Sequence, residues 1–202
     1  QPRFPEMLLH HKVALGQWTL LTGMPGSGKS EWLDALLCGL AVQHDLKFAM
    51  FSPENLPIEA HSKKLLEKFI GKPADFKTPP AEVTQAINFF DEHFYFCNPE
   101  VKGIENILEV ASDLIARHRI KGVVIDPWNE LDHYRPDNLS ETEYVSQVLS
   151  KIRAFARLKN VHVWLVAHPT KMQKDNSGAY PVPRPYDVSG SAHFYNKADN
   201  CI

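Results

Sequence analysis

The sequence predicts an α/β fold, with a mostly parallel central sheet and helices on both faces. Three observations predict it. Short apolar runs alternate along the chain with longer segments of helical periodicity. The apolar runs are continuous, as expected of strands covered on both sides. The length, 202 residues with 44% hydrophobic and 23% charged, suits one α/β domain with a sizeable core.

The elements follow in order. Trp18 to Thr22 (WTLLT) is a short apolar run ending at a glycine, and reads as a buried strand. Ser30 to Val42 places Trp32, Leu33, Leu36, Leu37 and Leu40 at helical spacing. Lys47 to Ser52 is a second strand, and Pro57 to Ile70 a helix with proline in its first turn. Gly71 to Pro80 is rich in Pro, Gly and Lys and reads as a loop. A short helix is expected over Ala81 to Phe90 and a third strand over His93 to Cys97. Ile104 to His118 is an amphipathic helix, followed by a fourth strand from Lys121 to Asp126. A polar loop leads to a helix over Glu141 to Lys159, and His162 to Ala167 is a fifth strand. Thr170 to Asp187 is a long loop holding Gly178, Pro181, Pro183 and Pro185; loops of this length are usually functional. Asn200 to Ile202 reads as the start of another strand. There is no internal repeat and no low-complexity tract.

Composition excludes several classes. No stretch approaches the roughly 20 apolar residues that span a bilayer, so no membrane role is expected. Cys38, Cys97 and Cys201 are far apart and odd in number, which offers neither a disulfide framework nor a zinc spacing. They read as core-type thiols of a reducing compartment, and a cytoplasmic location in a bacterial or phage-infected cell is expected. The formal net charge of −2 does not advertise nucleic-acid binding by the whole surface, though local basic loops could supply it.

The chemistry begins at Gly23-Met24-Pro25-Gly26-Ser27-Gly28-Lys29-Ser30, which matches G-x-x-x-x-G-K-[ST] between a strand and a helix. Glycines let the backbone wrap phosphate and turn its N–H groups inward. The helix N-terminus, including Glu31, adds its positive dipole end. Lys29 supplies a point charge to β- and γ-phosphates, and the Ser30 hydroxyl is a magnesium ligand. ATP or another nucleoside triphosphate with Mg2+ is therefore the expected cofactor pair. Val123-Val124-Ile125-Asp126 is an apolar strand ending in an acid, and Asp126 is the second expected magnesium ligand. Hydrolysis also needs a group to orient and deprotonate water. Glu54, just after the second strand, is the best candidate; a solvated acid capping the next helix is the competing reading. Glu130 and Asp132 are weaker rivals further along the loop after Asp126.

With these motifs in place, the chain from Gly16 to Ile202 resembles the RecA-like P-loop NTPase motor domain of ring-shaped replicative helicases: DnaB, phage-type primase–helicases and Twinkle. The resemblance rests on GMPGSGKS, Glu54, VVID with Asp126, WLVAHP with His168, and Ser189-Gly190-Ser191-Ala192. DPWNE, AHPTKM and SGSAHFYNKADN look most like a phage or prophage member. The resemblance implies that Glu54 is the catalytic base and that His168 senses the γ-phosphate and links it to the following DNA-binding loop. Read without it, His168 is a histidine at a strand end before proline, with a structural role as default.

The family binds single-stranded DNA inside a hexameric ring. Its two channel-facing loops correspond to roughly Trp128 to Ser140 and Lys171 to Arg184, with Lys171, Lys174, Arg184 and Arg135 as candidate backbone contacts. A homo-oligomer and a primase partner are implied. The resemblance also leads us to expect a single domain cut from a longer protein, with a primase-like region upstream and an arginine finger beyond residue 202. Two other classes share the phosphate loop. A RecA-like regulatory or recombination ATPase shares Lys29, Ser30 and Asp126. A small-molecule kinase would need a basic lid that the sequence does not show, and Glu54 with His168 fits attack by water better.

Overall fold

A computed structural model describes residues 13–75, 77–98, 100–170, 180–188 and 192–202. Its strands are β1 (Trp18–Thr22), β2 (Phe48–Phe51), β3 (Phe94–Phe96), β4 (Gly122–Ile125), β5 (His162–Ala167) and β6 (Asn200–Cys201). Its helices are α1 (Lys29–His44), α2 (Ile58–Ile70), α3 (Pro80–His93), α4 (Ile104–His118), α5 (Glu141–Lys159) and α6 (His193–Lys197). The strands form one sheet in the order β3-β2-β4-β5-β1-β6, and all its pairings are parallel.

Alternate residues of each strand face opposite layers. Leu21, Phe48, Met50, Val124, Trp164 and Val166 pack against Leu33 and Leu37 of α1, Leu65 of α2 and Phe90 of α3. Leu20, Phe51, Val123, Ile125, Val163 and Leu165 pack against Ile107 of α4, Leu149 and Ile152 of α5 and Phe194 of α6. Helices therefore cover both faces, as expected. Gly122 opens β4 because its neighbours fill the space: a Cβ there would lie 2.3 Å from Phe48 Cδ1 and 2.8 Å from Trp164 Cζ3. Helix α5 starts where it does because Ser140 and Glu143 form a reciprocal capping box.

Several boundaries differ from the expectation. α1 begins one residue earlier and runs to His44, and α3 runs three residues beyond Phe90. His93 therefore ends a helix instead of opening β3. Its Nδ1 lies 2.7 Å from Phe89 O and its Nε2 2.9 Å from Asp45 Oδ1. The loop after Asp126 is not wholly polar: Trp128, 5% exposed, opens a 3-10 turn over Trp128–Glu130 and meets the Phe194 ring edge-on at 5.4 Å. A second 3-10 turn, Pro185–Asp187, and the short helix α6 were not foreseen. The expected final strand is present: Asn200 and Cys201 pair with Thr19 and Leu20. Cys38 and Cys97 are buried, and desolvation pushes each thiol up to about 12, so both stay protonated core groups. No helix among the described residues is long and apolar enough to cross a membrane.

Candidate nucleotide site

Because β1, β2, β4 and β5 are all parallel, their carboxyl ends lie along one edge of the sheet. The phosphate loop leaves β1, Glu54 follows β2, Asp126 follows β4 and His168 follows β5. This is the edge where open parallel sheets bind ligands.

The loop's sequence explains its shape. Gly26 and Gly28 have φ of +75° and +86°, a conformation that favours glycine, and Gly28 is the N-cap of α1. A Cβ on Gly23 would sit 2.9 Å from Ser27 Oγ, so side chain and loop leave no room there. α1 has no side-chain cap, which leaves its first N–H groups for an anion. Pro25, Gly26, Ser27 and Gly28 are exposed. Lys29 Nζ lies over the loop, donating to the carbonyl oxygens of Gly23 at 3.0 Å and Met24 at 3.1 Å. Burial lowers its pKa, opposed by the negative charges of Asp126 and Glu54. Glu31 is turned elsewhere: its carboxylate pairs with Lys64 at 3.2 Å and with Lys68, tying α1 to α2. Its side chain is engaged by α2, and its backbone N–H is one of the open donors at the start of α1.

The two expected magnesium ligands meet directly. The Ser30 hydroxyl donates to Asp126 Oδ2 at 2.8 Å. Asp126 is 4% exposed, and burial raises its pKa, with Asp34 and Glu54 adding to the rise and the Ser30 hydrogen bond opposing it. The donor set fits magnesium, which takes oxygen ligands, is held by one or two carboxylates and completes its shell with phosphate and water. Among the described residues no group of three or more His, Cys, Asp or Glu side chains could hold a metal by itself.

Glu54 and His168 are also brought together. Glu54 Oε2 lies 3.5 Å from His168 Nε2, and the Glu54 side chain is 53% exposed. The His168 backbone N–H donates to Asn129 Oδ1 at 2.8 Å, which fixes the end of β5 against the loop after β4. His168 Nδ1 is buried without a hydrogen-bond partner. The rival acids Glu130 and Asp132 are both exposed on that loop, and the Asp132 backbone N–H donates to Lys102 O at 3.2 Å.

Of the DNA candidates, Arg135 and Arg184 are exposed on loops. Arg184 lies on the limb that returns to β5, held by the Thr170–Asp187 backbone bond at 2.7 Å and the Pro169–Val188 bridge. Lys171 and Lys174, and Ser189 to Ser191, lie outside the described residues. Sequence reasoning missed Asn55 and Asn129, whose amides touch the site, and the buried Asp34–His61 pair behind it. A neutral amide carries no charge pattern that would single it out.

The sheet order, the phosphate loop after β1 and the acid after β4 define a RecA-like P-loop NTPase domain. The comparisons agree on the fold. One solved structure, described as an ATPase domain, superposes with a TM-score of 0.73 at 15% identity, over 93% of this chain and 69% of that one. A DnaB-like replicative helicase, solved in a study of its interactions with primase, gives 0.71 at 16%, over 94% of this chain and 48% of that one. No family model matches the chain. The Twinkle homolog protein, chloroplastic/mitochondrial, of Arabidopsis thaliana is 44% identical over 203 residues, covering 95% of this chain. The chain thus has the fold of these RecA-like ATPase domains and is similar in sequence to part of the Twinkle homolog. It spans 28% of the length of that curated relative.

Proposed function

We propose that this chain is the ATP-hydrolysing motor domain of a ring-shaped replicative DNA helicase that translocates on single-stranded DNA. The observation that carries the reading is the convergence at one sheet edge of the phosphate loop, the Ser30–Asp126 contact and the Glu54–His168 contact. The loop N–H groups and Lys29 bind the β- and γ-phosphates. Ser30 and Asp126 hold Mg2+, which when bound neutralises charge on the phosphates. Glu54, open to solvent, orients and deprotonates the attacking water. His168 donates to a γ-phosphate oxygen. Its contact with Glu54 gives that sensing a route to the base, and Pro169 and Thr170 lead directly into the loop with Lys171, Lys174 and Arg184. Those cations, with Arg135, contact the DNA backbone. Assembly into a hexameric ring and a primase partner belong to the same proposal.

ATPase assays with and without single-stranded DNA test it. We expect weak basal turnover that DNA stimulates, with stimulation falling as salt rises. Glu54→Gln keeps nucleotide binding and loses turnover by roughly 10²- to 10⁴-fold, the usual contribution of a general base. Robust DNA-independent turnover by a strict monomer overturns the helicase reading, and retained turnover in Glu54→Gln removes Glu54 as the base.

A further inference from the structure

The residue beside the candidate base is Asn55, which belongs to none of the recognised motifs. Its Nδ2 donates to Asp126 Oδ2 at 3.1 Å and to Ser52 Oγ at 2.6 Å. The chemistry fixes the amide's orientation, because a carboxylate only accepts and the NH2 group must face it. Asp126 Oδ2 thus accepts from two donors, the Ser30 hydroxyl and the Asn55 amide. Both donors are neutral. They orient the carboxylate without cancelling its charge, whereas a lysine here would compete with any cation.

The backbone supports the same arrangement. Asn55 follows Glu54 directly, and its N–H closes a turn onto Ser52 O at 3.2 Å. At the far end of this segment, His61 of α2 holds Asp34 of α1 at 3.0 Å, four residues after Ser30. The connection between β2 and α2 is therefore tied to the metal-ligand side chains by Asn55 and to the P-loop helix by His61.

We infer that Asn55 is a positioning residue of the metal site: it fixes the Asp126 carboxylate for magnesium and couples it to the loop carrying Glu54. The inference rests on Ser30 and Asp126 being the magnesium ligands. Groups that orient metal ligands typically change metal affinity or activity by roughly 10- to 100-fold when lost.

The test is Asn55→Leu on the full chain, a change that keeps the branched shape and removes the donor. Binding of a fluorescent ADP analogue is titrated with Mg2+ and repeated in EDTA. The Mg2+ concentration at half-maximal binding is expected to rise about tenfold, with binding in EDTA unchanged. Ser52→Ala, which removes only Asn55's second partner, should shift it in the same direction by less. It also serves if Asn55→Leu folds poorly. A Mg2+ dependence equal to wild type in both variants overturns the role of Asn55. Wild-type binding that ignores Mg2+ overturns the magnesium reading itself, and the wild-type curve alone separates the two failures.

Discussion

Two buried carboxylates meet the first turns of α1, Asp34 from within the helix and Asp126 through Ser30, and their surroundings differ. Asp34 is 3% exposed, and His61 Nε2 donates to both of its oxygens at 3.0 and 3.1 Å. Asp126 is 4% exposed, and its partners are an alcohol and an amide. An acid matched by its own imidazole serves the fold, joining α1 to α2. An acid held only by neutral donors has been placed without an ion-pair partner, a condition a cation relieves. Burial raises the Asp126 pKa, the charge of Asp34 adds to the rise, and His61 acts against it.

The largest stability effect is expected at the matched pair. His61→Ala removes the partner of a buried carboxylate and leaves a cavity beside Phe96, whose ring lies 5.3 Å from the imidazole. Breaking such a pair from one side costs about 3 kcal/mol, because the remaining polar group is stranded. Urea denaturation measures it. A loss under about 1 kcal/mol would mean that Asp34 is no more dependent on its partner than Asp126 is, and the comparison would fail.

Asp126→Asn should act in the opposite sense. The asparagine oxygen can take the place of Oδ2 and keep both donors, while the buried charge disappears. Mg2+-dependent nucleotide binding falls by at least about tenfold, yet the nucleotide-free protein gains stability. The sign follows from the raised pKa. In wild type the folded state binds its proton more tightly than the unfolded state does. The contribution to stability is complete below the unfolded pKa and is lost as pH rises through the folded one. Thermal melts at a series of pH values should therefore show the advantage of Asp126→Asn growing with pH. An advantage that is flat or shrinks with pH would mean that Asp126 is compensated after all.

These two acids also show where the sequence was informative. Asp126 was legible because it closes a continuous apolar strand and pairs with a phosphate loop whose spacing is a local pattern. The strands were legible for the same reason, since a parallel strand covered on both faces reads as an apolar run. Asp34 was not legible: it sits in an otherwise apolar helix stretch, and its partner is 27 residues away in the next helix. Trp128 was hidden among polar neighbours because a ring it packs against, Phe194, lies far along the chain. The five-residue helix α6 is too short to show a period. His93 stood among Phe89, Phe90 and Phe94, residues that suit a buried helix face and a strand equally. Its place was settled by Asp45, a contact between distant segments.

The smallest effect sharpens the comparison from outside. Lys151 of α5 pairs with Glu105 of α4, and both side chains are more than half exposed. The hydrogen bond to Lys151 holds the Glu105 carboxyl below its usual range, with burial working against it. By pairing alone this contact resembles Asp34–His61. Solvent screens it, however, and ordering two long side chains costs entropy, so exposed pairs are worth about 0.2–1 kcal/mol. Lys151→Ala should therefore cost no more than about 0.5 kcal/mol in urea denaturation, and less still in 1 M salt, where the screening length falls to about 3 Å. A cost near that of His61→Ala, or one insensitive to salt, would mean that pairing rather than burial sets the worth of these contacts. The distinction drawn between Asp34 and Asp126 would then need another basis.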